Sequence, residues 1–590
     1  MKAALSLMMV FVLSGCVATP TTQTKTAKPT TNISERKKQD IAPEIGYGLT
    51  DQKLTHAKHF MVATANPIAT QAGYDILLKG GTAIDAMIAV QSTLGLVEPQ
   101  SSGLGGGAFV VYWDNKTKQL TTFDGRETAP QAVDGELFMK DGKPMGFMDA
   151  VVGGRSVGVP AIPMLMETLH KKYGKLAWQS LFDTPIGLSK NGFYVSKRMA
   201  DSIKSNQKTL ANYKSTADYF LPNGKPLQEG DLLKNNEYAN TLKMLAAEGS
   251  RPFYQGRYAQ NIVGVVQNNN GALSMADFHD YKVIQKEPVC ANYRSYQVCG
   301  MDAPSSGGIA VGQIVGVLNQ FSKEQLPKDD PNTLRILGDA SRLAFADREK
   351  YVADPEFVNV PSQFLMSDHY LKNRAKLIKN SNTALDMVQA GNVPNLQSKY
   401  AAAPSLELPS TSHISIVDKY GNVLSMTTSI ENAFGSGLMA NGYLLNNELT
   451  DFSFEPTKSG KYVANRVEGG KRPRSSMAPT IVMLDGKPYM AVGSPGGSRI
   501  IGYVAKTLVA HIDWGMDIQQ AINYPNVLNR FGNYELEQNS DAIDFNDKLI
   551  EFGFKTDIRD LNSGVQGIVI TNAGLSGGAD PRREGKVMGR

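Results

Sequence analysis

The sequence predicts a layered α/β protein. Strand-like and helix-like segments occur in both halves of the chain, with no internal repeat. The run from His413 to Ser429 alternates like a buried β-hairpin, and Arg499–Gly515 carries the apolar spacing of an amphipathic helix. Elements of both kinds, mixed along the chain, stack as sheets and helices around shared cores. At 590 residues the chain needs several domains or one large multilayer domain. A net charge of +5, with the basic residues scattered, gives no argument for nucleic acid, and no such partner is expected.

The amino terminus reads as a leader. Lys2 precedes an apolar stretch from Ala3 to Leu13, too short to span a membrane, and small residues lead to Cys16. Leu13-Ser14-Gly15-Cys16 resembles a bacterial lipobox, so residues 1–15 are expected to be removed and Cys16 lipidated; plain signal-peptide cleavage with an incidental cysteine is the alternative. Several acyl chains would anchor firmly where one holds marginally. Residues 16–45 are rich in Thr, Pro and Lys with almost nothing to bury, and read as a disordered tether. The globular part is expected from residue 46.

From Ala65 to Leu96 the pattern is helical, broken at Gly80-Gly81, with Thr82 as N-cap of the second helix. "SSGLGGGAFVVYW" turns through glycines into a strand from Ala108 to Trp113. It lacks the Lys-Ser/Thr of a phosphate-binding loop and the spacing of a dinucleotide fingerprint. A second strand leads into "FDGRETAP", Phe123–Pro130. Helices are expected over Pro160–Lys172 and Asn332–Phe345. Cys290 and Cys299 flank a turn at Arg294-Ser295 and would face each other as a hairpin disulfide in an oxidising compartment, or remain neighbouring thiols. After Ser412 come the two hairpin strands joined at Tyr420-Gly421-Asn422, then further strands in "YLLNNELTDFS", "PTIVMLDGKPYMAVGSPGG" and "YELE".

The usual nucleophile signatures are missing: there is no Gly-x-Ser-x-Gly and no His-Glu-x-x-His. His56 and His59 form a close pair without a third ligand, so no metal site is expected. The hairpin offers a different chemistry. A threonine hydroxyl needs a base, and cleavage of the bond before Thr411 would supply one in its own α-amine. Such an amine titrates near ~8, so much of it is unprotonated at neutral pH.

The stretches "TSHISIVDKYGN", "TTSIENAFGSG", "LLNNELTDFS", "KRPRSSMAPTIV" and "GSPGGSRII" resemble, in order and spacing, the γ-glutamyltranspeptidases. Upstream, "SSGLGGGAF", "FDGRETAP" and "PSSGG" (Pro304–Gly308) fit as well, so the resemblance runs from about Ala63 to Arg583. It implies an N-terminal-nucleophile hydrolase with a four-layer αββα sandwich, built from two autoproteolytic fragments. These would be residues 46–410 and 411–590, associated as one globular unit. By the same resemblance Thr411 is the nucleophile and Ser429 bonds it or its amine. Gly496 and Gly497 offer backbone N–H groups to the oxyanion. Arg126, Ser475 and Ser476 bind the donor's α-carboxylate. Glu431, Glu448 and Asp451 accept from its α-ammonium, where some relatives carry Asn and Gln at the first two.

The segment from Asp451 to Ser475 is intermediate in length between relatives with and without a lid loop, and leaves the role of Tyr462 open. Arg474 stands where many relatives have leucine. The resulting expectation is a lipid-anchored periplasmic enzyme, held at the outer membrane. It would transfer the γ-glutamyl group of glutathione and related compounds to water, amino acids or dipeptides, with no cofactor. Two rivals remain. A glutaryl-type β-lactam acylase of the same family would find the acidic trio costly beside a donor lacking an ammonium. A non-catalytic envelope-binding lipoprotein would stay uncut.

Overall fold

Local capping decides where the first helices begin. In the computed structural model, which describes residues 49–396, 399–403, 407 and 410–590, Asn66 caps Pro67–Leu78 by accepting from the Ile68 N–H. Thr82 and Asp85 form a reciprocal capping box at Ala83–Val97, as its sequence signal predicts. The leader, Cys16, the tether and the boundary at residue 46 lie outside the described residues. No described helix is long and apolar enough to cross a membrane.

Two seven-stranded sheets form the centre. One runs from edge to edge as Lys586–Gly589, Met61–Thr64, Ser412–Val417, Val423–Ser429, Gly107–Asp114, Gln119–Gly125 and Ile284–Lys286. The other runs as Thr55–Ala57, Gly574–Ala579, Gln566–Thr571, Lys487–Gly493, Thr480–Leu484, Tyr296–Gly300 and Val289–Tyr293. All pairings in both are antiparallel.

The period-two alternation sorts the strand residues into layers. Met61, Ala63, Val111, Val423, Ile481, Ala491 and Ile568 pack between the sheets. Their sequence neighbours Val62, Val110 and Leu424 pack outward with the helices Pro67–Leu78, Ala83–Val97 and Ile162–Tyr173. On the far side Val482, Met490, Val492 and Val569 pack with Gly307–Leu318, Pro331–Tyr351 and Ile500–Ile512. Helix, sheet, sheet, helix is the order of layers. Each sheet is covered on both faces, which is why its strands read as near-continuous apolar runs.

The nucleophile hairpin forms as its sequence predicts. Ser412–Val417 pairs with Val423–Ser429, and Asp418 closes the turn by accepting from the Tyr420 and Asn422 N–H groups while Gly421 takes φ +82°. Cys290 and Cys299 are direct partners across their hairpin and are joined as a disulfide. The helix expected to end at Phe345 runs on to Tyr351.

One element differs. "YLLNNELTDFS" is not a strand beyond Tyr443–Leu444; Glu448–Asp451 is a 3₁₀ turn. The two asparagines are the reason. Asn446 bonds the carbonyls of Gly105 and Gly158 and accepts from the N–H of Glu448, and Asn447 accepts from the N–H of Asn432. Their side chains satisfy backbone groups that a ladder would otherwise take.

Candidate active site

The register of the hairpin builds the centre of the site. Ser412 pairs with Thr428, so Thr411 and Ser429 meet at the ends of adjacent central strands, with their hydroxyls 3.3 Å apart. Ser429 Oγ donates to the carbonyl oxygen of Ser410 at 3.1 Å and accepts from the N–H of Glu431 at 2.8 Å. Thr411 Oγ1 contacts the same Ser410 carbonyl. The Ser410 hydroxyl is tied to the carbonyl of Gln100 at 2.5 Å. Every one of these side chains is buried.

Below the nucleophile, the same sheet face continues as hydroxyls. His413 bonds Thr427 and Ser415, Ser415 donates to the Gln566 carbonyl, and Ser425 donates to that of Val492. These groups stitch the two sheets together, so most of the hydroxyls clustered along this hairpin are structural. Burial lowers His413 to about 3, leaving it neutral.

One pocket is lined by Thr411, Ser410, Ser429, Gly497 and all six residues assigned to substrate binding from the sequence: Arg126, Glu431, Glu448, Asp451, Ser475 and Ser476. Gly496 stands directly before it, with φ +135°, and Gly497 follows with φ +56° at the entry to helix Ile500–Ile512. A Cβ on Gly496 would lie 2.7 Å from the Tyr503 ring, so glycine is required there on two counts.

Electrostatically the pocket is paired within itself. Arg126 leaves strand Gln119–Gly125, and its two Nη atoms form ion pairs with Glu448 and Asp451. Nε and Nη2 donate to the carbonyls of Pro473 and Arg474 at 3.2 and 3.0 Å. A third carboxylate, Glu127, lies 3.7 Å from Arg126. The sequence reading assigns the arginine and the acids to opposite ends of a ligand. Here they hold each other, because buried charges of opposite sign pair when nothing else neutralises them. Three carboxylates around one guanidinium still exceed it. Burial pushes Glu448 up to about 7, against the pull of Arg126. Asp451 is also raised by burial, and Glu127 well above the usual range by burial and then by Glu448.

Ser475 and Ser476 are placed by "PSSGG". The Ser475 N–H donates to the carbonyl of Pro304, and Ser306 donates to the Ser475 carbonyl through both its N–H and its hydroxyl. Arg348, from the helix Pro331–Tyr351, donates to Ser476 Oγ at 2.9 Å and to Ser306 Oγ at 2.8 Å. It also forms an ion pair with Glu407. Glu127, Arg348 and Glu407 are site residues that reading the sequence missed. Glu127 adjoins Arg126 in "GRET" and Glu407 stands just ahead of Thr411, so proximity could have flagged both. Arg348 meets Ser476 across 128 positions and has no local signal.

Comparison with known proteins places this geometry. The gamma-glutamyltranspeptidase family profile matches residues 69–590, most of the chain. The glutathione hydrolase proenzyme of Bacillus subtilis (strain 168) is 37% identical over 545 residues, covering 90% of this chain and 92% of the relative. This chain belongs to the gamma-glutamyltranspeptidase family. The transpeptidase layers also match a crystal structure of cephalosporin acylase from Bacillus halodurans, with TM-score 0.82 and 25% identity over 93% of this chain and 99% of that one. The gamma-glutamyltranspeptidase of Helicobacter pylori superposes with TM-score 0.55 and 30% identity, covering 60% of this chain and all of that one. The fold is that of the N-terminal-nucleophile hydrolases.

Proposed function

We propose that this transpeptidase-family chain cuts itself before Thr411 and then acts as a γ-glutamyltransferase and glutathione hydrolase. Its products are the fragments 46–410 and 411–590, which stay together. The observation that carries the reading is the Ser410 carbonyl, touched by the Thr411 hydroxyl and accepting from Ser429 Oγ at 3.1 Å inside a buried charged pocket.

In the self-cleavage, Thr411 Oγ attacks the Ser410 carbonyl carbon while Ser429 polarises its oxygen. The peptide C–N bond breaks, the Thr411 nitrogen takes the proton, and Ser410 is left as an ester on Thr411 Oγ. Water hydrolyses that ester, giving a Ser410 carboxylate and a free Thr411 amine. That amine then serves as base for the Thr411 hydroxyl, which attacks the γ-carbonyl of the donor. The N–H groups of Gly496 and Gly497 receive the oxyanion. The leaving amine departs with the proton, and water or an amino acid resolves the γ-glutamyl ester.

The donor's ammonium enters an acidic cluster of Glu431, Glu448 and Asp451 that Arg126 alone does not neutralise. Its carboxylate lies toward Ser475, Ser476 and Arg126. A glutaryl donor has no ammonium to offer and would leave that acid excess uncompensated, so γ-glutamyl substrates are favoured. The leader ending at Cys16 supports a lipid-anchored periplasmic placement, checked by loss of labelled palmitate from Cys16→Ala.

The deciding experiment is mass spectrometry of the purified fragments with assays on γ-glutamyl and glutaryl anilides. A small fragment beginning at Thr411 and faster γ-glutamyl turnover are expected. An uncut, inactive chain would point to a binding protein, and faster glutaryl turnover to an acylase.

A further inference from the structure

Arg348 is buried and makes one ion pair among the described residues, with Glu407. Glu407 belongs to the stretch whose last peptide bond is the one to be cut. It lines the pocket, as do Ser476 and Thr411, whereas Arg348 does not. Glu407 and Ser476, both of them lining residues, are the groups that Arg348 Nη2 contacts. Its Nη1 has no hydrogen-bond partner among the described residues. The Ser476 oxygen accepts from Arg348, which leaves its own O–H free to donate.

The charge balance separates the two arginines. Arg126 already faces Glu448, Asp451 and Glu127, so the net field around it repels an arriving carboxylate. Arg348 is paired with a single carboxylate, and that carboxylate sits on a chain end that cleavage sets free. Once Glu407 leaves, a buried guanidinium stands next to Ser476 with no anion, a costly state that a ligand carboxylate relieves.

We propose that Arg348 is a specificity-determining residue with two successive carboxylate partners. In the precursor it grips Glu407 and so docks the scissile segment. In the mature enzyme it holds, with Ser476, the α-carboxylate of the γ-glutamyl donor, in the position Glu407 vacates. This rests on the γ-glutamyl reading above and deepens it.

The test compares γ-glutamyl anilide with the same donor whose α-carboxylate is a carboxamide. The wild-type preference for the carboxylate form, as a ratio of kcat/KM values, is expected to fall about 10- to 100-fold in Arg348→Gln, the size of a lost charged hydrogen bond, mainly through KM. A merely structural role would lower both donors together and leave the ratio unchanged, which overturns the proposal. Should Arg348→Gln fail to mature, Arg348→Lys carries the same comparison, with a fall of about 3- to 10-fold expected because the fork is lost and the charge kept. Glu407→Gln is expected to slow self-cleavage at least about 5-fold, again from a weakened charged pair, and cleavage at the wild-type rate overturns the docking role. If the wild-type protein turns over neither donor, the γ-glutamyl reading itself falls and this assignment with it. A working wild type with an unmoved ratio defeats the assignment alone.

Discussion

Ser429 Oγ donates to the carbonyl oxygen of Ser410 at 3.1 Å, from the end of the strand that faces the nucleophile's own. The contact joins the last residue of one fragment-to-be to the strand beside the first residue of the other. It polarises the carbonyl that Thr411 touches. Ser429→Ala is therefore expected to slow self-cleavage about 10- to 100-fold, as removal of one donor to a developing oxyanion does. The appearance of the small fragment on gels over time measures it, and Ser429→Thr should restore most of the rate. Thr411→Ala should not cleave at all.

Arg126 is the only cation in contact with both Glu448 and Asp451. Removing it leaves two buried carboxylates without a partner. In a cleavage-dead Thr411→Ala background, Arg126→Met is expected to lose about 3–5 kcal/mol in urea unfolding. Adding Glu448→Gln and Asp451→Asn should recover much of the loss. If Arg126→Met alone unfolds like its parent, the buried pairing contributes no stability.

Burial raises Glu448 in the folded chain to about 7, against 4.5 ordinarily. Between those values the folded chain holds a proton that the unfolded chain has released. The stability this contributes is complete below the lower value and is lost as pH rises through the higher. Asp451 and Glu127 shift in the same direction. In the Thr411→Ala background, Glu448→Gln should flatten the fall in Tm between pH 5 and 8. An equal slope in both proteins would contradict the raised value.

Gly496 combines φ +135° with a Tyr503 ring that a methyl group would meet at 2.7 Å. Gly496→Ala must therefore turn the peptide that carries the oxyanion N–H groups. A fall in kcat of about 100-fold or more is expected, with KM little changed, in line with loss of one oxyanion donor. Steady-state assay of the matured variant checks it, and an equal kcat would remove the pair from the oxyanion role.

Much of this was legible in the sequence. The hairpin at Thr411 shows its alternation and its Asp-x-x-Gly turn locally, and Thr82 announces its helix by a cap. "YLLNNELTDFS" misled because its apolar start looks like a strand. What turns it is the set of carbonyls near Gly105 and Gly158 that its asparagines reach, far away in the chain. The disulfide was legible because two cysteines flank a turn.

The order of the chain determined the nucleophile, the self-cut position and the identity of the pocket residues. Each sits in a short stretch whose chemistry is carried by its own side chains. Only the tertiary structure decided how those charges are partnered. Arg126 faces three carboxylates while Arg348 faces Glu407, because burial forces each ion to find the nearest opposite charge, whatever its distance along the chain.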